Sequence, residues 1–425
     1  MKFRWVLLLC CACSEAQNDA GSPVDLGTPD LGVADLGALD TGVDGGVIVD
    51  ASDSGGMDAE PSDLGLADAE PIDLGPPPPL DCSGSTLLAR PNDTSLPGPW
   101  PVGARTATVA GLTVEVWYPA TPGSEATSAT ISYDIREVLP ATERSKIPDD
   151  DNPWQDCHCY RDLPLDPAAG PYPVIVFVHG TAGFRHQSLE LVTHWASRGF
   201  VVIAADHPGL YMADLLAGVC VGSFPNNDLE GDVRRLLSAL EAPSGDVAFL
   251  SDRIDLARLG IAGHSAGGRP VAALSDRASV AIPMASGGVS AGVNLRASLV
   301  LAAERDGIVM YSRTKAAYEA TPGPKRFLGL AGAGHLAFSS MCSLRNAQGQ
   351  GLVEIAEEHG VCGTAAASFL FDCDPTFLAD PIGWSIIQEA STAVLESVLQ
   401  CTDRSAVFQD LGTRRPEILE LLQTP

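Results

Sequence analysis

Basic residues are scarce in this chain, and a long stretch near the amino terminus has none. The sequence contains 26 Lys and Arg against 54 Asp and Glu, which gives a formal net charge of −28. Residues 14–80 hold 15 of those acidic residues and no Lys or Arg. Proteins bind phosphate backbones through clustered positive charge, so this balance argues against a nucleic-acid partner.

The same stretch also lacks the periodicity of a helix or a strand. An Asp recurs every five residues from Asp25 to Asp40, mostly within Asp-Leu-Gly, and four prolines occupy residues 76–79. The apolar bulk is too small to offset the entropy lost on ordering. The repeat signature of calcium-binding β-rolls is missing as well. We therefore predict a disordered, extended acidic linker over residues 14–81.

No apolar run at the amino terminus is long enough to cross a bilayer. Residues 5–9 (Trp-Val-Leu-Leu-Leu) follow a basic start and precede small residues, which indicates an export signal over residues 1–13. A leucine run that ends in Ala-Cys also resembles a bacterial lipoprotein signal, with Cys13 as the lipidated residue and Cys10 or Cys11 as alternatives. We expect a cell-envelope lipoprotein facing the periplasm or exterior, with plain secretion as the other interpretation. The lipid anchor would be its one attachment to a membrane.

Beyond this leader, the number of cysteines is even, as expected for an exported protein with disulfides. There are eight: Cys82, Cys157, Cys159, Cys220, Cys342, Cys362, Cys373 and Cys401. Their pairing cannot be read from the sequence. Cys157-His158-Cys159 has no second pair at the spacing of zinc ligands. We predict disulfides, and neither a metal nor a cofactor.

From residue 82 onward, apolar runs typical of buried strands alternate with stretches of helical spacing. A hairpin is predicted over residues 105–118, and residues 121–171 are interpreted as an insertion packed against the domain. Strands are predicted at 173–178, 200–205, 259–262, 279–284, 298–303 and 326–330, and helices at 187–198, 226–242 and 384–400. Alternating strands and helices imply parallel crossovers. We predict one α/β domain over residues 82–425, with a mostly parallel central sheet flanked by helices.

One pentapeptide stands where a predicted strand meets a predicted helix. Gly263-His264-Ser265-Ala266-Gly267 follows the apolar run 259–262 and precedes small residues. This is the arrangement of a nucleophile elbow, a tight turn that exposes a serine hydroxyl above the edge of a sheet. The turn leaves no room for a Cβ at its flanking glycines. The pattern predicts a serine hydrolase with Ser265 as nucleophile.

A serine hydroxyl needs a base to remove its proton, and in α/β-hydrolases that histidine follows the serine and the acid along the chain. The histidines after Ser265 are His335 and His359. His335 lies in a glycine-rich loop after a strand. His359 lies in a segment typical of a helix C-terminus, where the helix dipole favours a cation. We predict His335 as the base, and we interpret His264 as a packing residue that projects away from the elbow.

The acid is constrained by a gap in the sequence. No carboxylate occurs between Asp276 and Glu304, which excludes an acid directly after the strand that follows the elbow. Asp306 follows the next strand, at the edge where catalytic groups collect in open α/β sheets. Glu304 is the competitor, but it is nearer the strand end. Because Gly307 after Asp306 suits a turn that presents its carboxylate, we predict Asp306.

The tetrahedral intermediate requires backbone N–H donors for its oxyanion. The first should be the N–H of Ala266, directly after the nucleophile. The second should come from the loop at residues 179–183, with Thr181 as our prediction and Ala182 as the alternative. Loss of one such donor costs roughly 2.7–4 kcal/mol of activation free energy.

Together these motifs resemble the α/β-hydrolases grouped around dienelactone hydrolase, platelet-activating-factor acetylhydrolase and the bacterial cutinase-like polyesterases. The acetylhydrolase pattern is similar to residues 116–120 (Val-Trp-Tyr-Pro-Ala), 176–180, 197–202, 205–207 and 263–268. The acid departs from that pattern, because plasma-type acetylhydrolases carry it where this chain has Met284-Ala285-Ser286. Residues 301–308 and 325–335 instead resemble the cutinase and polyesterase arrangement.

The resemblance implies hydrolysis of a carboxylic ester through an acyl-enzyme, with a Ser-Asp-His triad. The substrate would be a small-molecule, lipid or polymer ester, and phospholipid or polyester specificity stay open. A peptidase or thioesterase, and a non-catalytic ligand-binding protein on a hydrolase scaffold, remain alternatives. Whether the insertion gates the pocket also stays open.

Overall fold

The computed structural model describes residue 77 and residues 80–424. The predicted export signal, including Cys13, and nearly all of the predicted linker lie outside the described residues, so both stay predictions. Within the described range, no helix combines the length and the apolar character that a membrane span requires.

The described residues form eleven strands and nine α-helices, joined by loops and short 3-10 turns. The strands are β1 (Val102–Val109), β2 (Leu112–Pro119), β3 (Thr130–Tyr133), β4 (Gln155–Arg161), β5 (Tyr172–Val178), β6 (Val201–Ala205), β7 (Ile254–His264), β8 (Val280–Met284), β9 (Ala297–Ala303), β10 (Lys325–Leu330) and β11 (Ile418–Thr424). The helices are α1 (Leu189–Ser197), α2 (Met212–Val221), α3 (Leu229–Leu240), α4 (Gly268–Ala273), α5 (Tyr311–Ala320), α6 (Leu352–Glu358), α7 (Thr364–Ala367), α8 (Asp380–Leu399) and α9 (Val407–Arg414).

All eleven strands belong to one sheet, in the order β11-β10-β9-β8-β7-β5-β6-β2-β1-β4-β3. The six strands from β10 to β6 are parallel to their neighbours, and antiparallel pairs flank them on both sides. Every residue of β5 is buried, as expected for a strand covered on both faces. The predicted α/β fold with a mostly parallel sheet is confirmed.

Helices cover both faces of this sheet because alternate residues of each strand point to opposite sides. Ile175 and Phe177 of β5 pack in the core that includes residues of α1, α8 and α9. Val174 and Val176 pack on the other face, in the core that includes residues of α3 and α4. Because the central strands are parallel, their carboxyl ends meet at one end of the sheet, and the predicted site residues follow those strand ends.

The interpretation of residues 121–171 as a poorly periodic insertion missed two strands. β3 and β4 lie there and extend the sheet beyond the β1–β2 hairpin. β4 does alternate, but the residues it buries are Gln155, Cys157 and Cys159. A period of two carried by a glutamine and two cysteines does not register as an apolar pattern. Helices α2 and α9 and the edge strand β11 were also not predicted.

The prediction of disulfides is confirmed, since all eight cysteines of the domain are paired. The bonds are Cys82–Cys401, Cys157–Cys159, Cys220–Cys362 and Cys342–Cys373. Cys82–Cys401 joins the start of the domain to the residues after α8. Cys220–Cys362 joins α2 to the segment before α7, and Cys342–Cys373 closes the segment that follows His335. Two of the four bonds, Cys220–Cys362 and Cys342–Cys373, thus cross-link the segment that follows the predicted base along the chain.

Four buried histidines should make the protein less stable as the pH falls below about 6.5, the usual histidine pKa. Burial, the largest cause in each case, lowers the pKa of His179 and of His194 to about 3, and the pKa of His186 and His264 well below the usual range. At a pH between the folded-state pKa and 6.5, each of these histidines is protonated in the unfolded chain and neutral in the folded chain. Stability is therefore present above pH 6.5 and is lost towards pH 3, with a slope of up to about 1.4 kcal/mol per pH unit for each histidine.

Urea unfolding at pH 7.5, 6.5, 5.5 and 4.5 measures this loss. His194→Gln should reduce the slope, because Gln keeps a donor for the Thr94 carbonyl that His194 contacts at 3.0 Å and takes up no proton. A free energy of unfolding that stays level from pH 7.5 to 4.5 would contradict the prediction.

Candidate active site

Ser265 lies on a strained turn directly after β7. Its φ angle is 53°, in the left-handed region, and a short 3-10 turn leads from it into α4. A Cβ built at Gly263 would lie 2.1 Å from the Gly267 carbonyl oxygen, and one at Gly267 would lie 2.2 Å from the Val178 carbonyl oxygen. Only glycine fits both positions. The turn leaves Ser265 half-buried at the carboxyl edge of a central strand.

Two of the predicted residues meet at this edge. His335 begins a short 3-10 turn after β10, and its Nδ1 lies 2.8 Å from Oδ2 of Asp306. The other carboxylate oxygen accepts the N–H groups of Ile308 and Val309 at 2.8 and 2.7 Å. An ionised carboxylate only accepts hydrogen bonds, so the proton of the neutral imidazole is on Nδ1 and Nε2 is left as an acceptor. His335 and Asp306 are 3% and 6% exposed, which shields the pair from water.

The competing acid and base have other partners. Oε2 of Glu304 accepts the N–H of Gly332 at 2.7 Å, a contact that holds the loop before His335. Nε2 of His359 lies 3.0 Å from Oδ2 of Asp151, in the 121–171 segment. The structure thus pairs Asp306, and not Glu304, with His335, and it engages His359 elsewhere.

The loop at residues 179–183 packs against the elbow. A Cβ at Gly180 would lie 2.9 Å from the Cβ of Ser265, so the backbone of this loop is in contact with the nucleophile. The N–H of Ala182 donates to the Leu210 carbonyl at 3.0 Å. That bond removes Ala182 as the alternative oxyanion donor. Thr181 and Ala266, both half-buried, stay the predicted pair.

His264, interpreted from the sequence as a packing residue, is buried and does pack against the rings of His335 and Phe338, but its hydrogen bond was not predicted. The ring centroid of His264 lies 4.7 Å from that of His335, and its Nε2 lies 3.0 Å from the His335 carbonyl oxygen. Because His264 directly precedes Ser265, these contacts bring the elbow and the His335 loop together.

A separate apolar cluster lies beside these loops, and we call it the cap cluster. It joins side chains of the 121–171 segment, of α2 and of the chain after His335: Ile135, Val138, Leu139, Ile147, Phe184, Met212, Leu216, Leu336, Met341, Leu344, Ile355 and Val361. Phe184 follows the 179–183 loop, and Leu336 is next to His335. The insertion therefore packs against residues adjacent to the site.

Several neighbours of the site were not found from the sequence. Oγ of Ser286, two residues after the end of β8, donates to the Ser265 carbonyl at 2.8 Å. Gln187 and Ser188 form hydrogen bonds with Ser340 and Phe338, which follow His335 in the chain. The position of Ser286 after a strand next to the elbow was an available signal, but none marked Gln187 or Ser188. Among residues 80–424, no group of His, Cys, Asp or Glu is arranged to hold a metal ion.

Comparisons with known proteins agree with this architecture. The chlorophyllase family model matches residues 164–285, a segment that contains Thr181, Ser265 and Ala266. The structure of a ferulic acid esterase from Streptomyces cinnamoneus matches with a TM-score of 0.53 and 18% sequence identity, over 78% of this chain and 99% of that chain. Among curated proteins, none matches the sequence significantly. The finer resemblance to acetylhydrolases and polyesterases stays a hypothesis. The described residues share the α/β fold of this esterase, and the segment that contains the elbow is similar to the chlorophyllase family.

Proposed function

We propose that the protein is a serine hydrolase that cleaves carboxylic esters through an acyl-enzyme. The observation that carries the proposal is the buried pair of His335 and Asp306, whose Nδ1 and Oδ2 atoms lie 2.8 Å apart. The loop of His335 also contacts the elbow, through its carbonyl oxygen and His264. The similarity of residues 164–285 to the chlorophyllase family, and of the fold to a ferulic acid esterase, supports an ester as the substrate class.

In the first half of the reaction, Oγ of Ser265 attacks the ester carbonyl carbon and Nε2 of His335 takes the hydroxyl proton. The C–O bond to the alcohol then breaks, and His335 returns that proton to the leaving alcohol. In the second half, water attacks the acyl-enzyme with His335 again as base, and the acid and free Ser265 are released. Asp306 stays ionised and stabilises the imidazolium that forms in each half.

The developing oxyanion needs donors that are already in place. Ala266, whose N–H is the first donor, directly follows the nucleophile in the 3-10 turn, and the 179–183 loop lies against Ser265. Thr181 is the donor we assign in that loop, since the N–H of its neighbour Ala182 is taken by Leu210. Fixed dipoles of this kind need no reorganisation as the charge develops.

Within this chemistry we favour the cutinase and polyesterase type over the acetylhydrolase type. The acid that pairs with His335 follows β9, whereas β8 ends in Met284, with Ala285 and Ser286 next in the chain. A substrate profile across acyl length, from p-nitrophenyl acetate to long-chain and aromatic polyesters, separates the two types. Strong preference for a phospholipid with a short acyl group would reverse this choice.

Covalent labelling tests the proposal against a non-catalytic binding protein on the same scaffold. A fluorophosphonate probe should modify Ser265 and abolish turnover of short-chain p-nitrophenyl esters in step with labelling. Peptide mapping identifies the modified residue. A chain that binds esters but neither reacts with the probe nor turns them over would refute the enzymatic function.

We also propose that the protein is exported and lipidated at Cys13, which the leucine run and small residues before it support. In a bacterial host, metabolic palmitate should label the full chain, and Cys13→Ala should abolish the label and release the protein from the membrane fraction. Cys11→Ala is the matched control and should keep the label. Label that follows Cys11 instead would move the anchor, and no label on any variant would favour plain secretion.

A further inference from the structure

We propose that His264 and Gln187 are positioning residues that hold the loop of the general base against the nucleophile elbow. The inference rests on the proposed function but adds two residues that its mechanism does not use. It assigns a hydrogen-bonding role to the histidine inside the Gly-x-Ser-x-Gly motif, where packing alone was expected.

The first contact fixes the proton of His264. Its Nε2 lies 3.0 Å from the His335 carbonyl oxygen, which only accepts hydrogen bonds. Nε2 must therefore carry the proton, and Nδ1 of the neutral ring is an acceptor. The Nε2 amide group of Gln187 lies 3.3 Å from that Nδ1 and supplies the hydrogen. A donor, the Gln187 amide, thus meets Nδ1 of His264, and an acceptor, the His335 carbonyl, meets Nε2.

Gln187 connects this ring to two further loops. A Cβ at Gly183 would lie 2.2 Å from Oε1 of Gln187, so the amide rests against the 179–183 loop. Its backbone carbonyl accepts the N–H of Ser340 at 2.6 Å, and Oγ of the adjacent Ser188 donates to the Phe338 carbonyl at 2.8 Å. The segment at Gln187 therefore binds the chain just after His335 as well.

Burial keeps this arrangement in one protonation state. His264 is 2% exposed and Gln187 is fully buried. Burial first, and the neighbouring His335 second, lower the pKa of His264 well below its usual range. The ring is neutral wherever His335 works as a base, so its Nε2–H stays directed at the His335 carbonyl.

The consequence for catalysis is geometric. Asp306 orients the imidazole of His335, but the backbone of that residue is held by His264. A shift of this backbone would move Nε2 of His335 relative to Oγ of Ser265, from which the proposed function has it take a proton, and a displacement of about 1 Å costs on the order of 10²-fold in rate. The contact positions the general base and involves no group to which we assign ester binding, so kcat should fall while KM changes little.

Two substitutions at His264 separate positioning from packing. His264→Gln keeps an N–H donor near the position of Nε2, whereas His264→Phe keeps the ring volume and removes the donor. We expect kcat to fall by roughly 10- to 100-fold in H264F with KM within a few-fold, and much of that loss to be recovered in H264Q. A packing role predicts the opposite order, with Phe better tolerated than Gln, and that order would overturn the proposal.

Further measurements test the positioning role separately from the folding of the variants and from the proposed ester hydrolysis. Thermal unfolding shows whether each variant is folded, and Gln187→Met, which removes the donor to Nδ1 at similar volume, should lower kcat in the same way by a smaller factor. Nitrogen-15 NMR of the wild-type histidines reads the tautomer of His264 without any turnover. A proton on Nδ1 of His264 would overturn the proposal even in an active enzyme, whereas an inactive wild type with the Nε2–H tautomer would refute the ester hydrolase alone.

Discussion

Replacing Ser265 by Ala is expected to lower kcat for short-chain p-nitrophenyl esters by about 10⁶-fold. Without Oγ there is no atom to form the acyl-enzyme, and His335 can at best activate water in a position built for the serine. The residual rate would come from the oxyanion donors and from substrate binding, which the substitution does not touch. Because Ser265 is half-buried and its hydroxyl is not needed for the turn, stability should change little.

Ser275→Ala is the matched control for this experiment. Ser275 is also near α4, and its Oγ contacts the Ala291 carbonyl at 3.4 Å, away from the elbow. Its turnover should equal that of the wild type, and fluorophosphonate should label it fully. If Ser265→Ala kept more than about a hundredth of the wild-type rate, Ser265 would not be the nucleophile and the elbow would have another role.

Replacing Asp306 by Asn is expected to lower kcat by about 10⁴-fold through a change of tautomer. The side-chain oxygen of Asn would still accept from Ile308 and Val309, whose N–H groups approach Oδ1 at 2.8 and 2.7 Å. That requirement turns the amide N–H₂ towards Nδ1 of His335. Nδ1 must then accept, the imidazole proton moves to Nε2, and His335 can no longer take the proton of Ser265.

The matched control for the acid is Glu304→Gln. Gln retains an oxygen for the Gly332 N–H that Glu304 now holds at 2.7 Å, so kcat should stay within a few-fold of the wild type. A pH–rate profile for both variants distinguishes a lost base from a lost fold, as does thermal unfolding. A large loss in Glu304→Gln together with a small one in Asp306→Asn would exchange the roles of the two carboxylates.

The sequence carried the fold class because its signals are local. A strand buried on both faces must be apolar at every position, and β5 is. The elbow could be recognised because its two glycines are required by contacts within a few residues or with the adjacent strand. The gap in carboxylates between Asp276 and Glu304 then restricted the acid to few positions.

What the sequence missed depends on partners that are distant along the chain. β4 is a strand because Gln155 and two cysteines find buried positions against the sheet, and nothing in their residue types indicates this. The exclusion of Ala182 as a donor depends on the carbonyl of Leu210, beyond α1 and β6. The hydrogen bond of His264 was missed for the same reason, since its partner, the His335 carbonyl, is 71 residues away.

The amino-acid sequence by itself thus predicted the residue types of the candidate site and determined the α/β frame that brings strand ends to one edge, since both follow from short-range sterics and apolar patterning. The tertiary structure alone decided which of these groups touch. Disulfide pairing, the engagement of the Ala182 N–H by the Leu210 carbonyl, and the contact of His264 with the His335 loop each require two segments to meet in space. Hydrogen bonds and covalent bridges between distant segments leave no periodic trace in a sequence, because their geometry exists only once the sheet has formed.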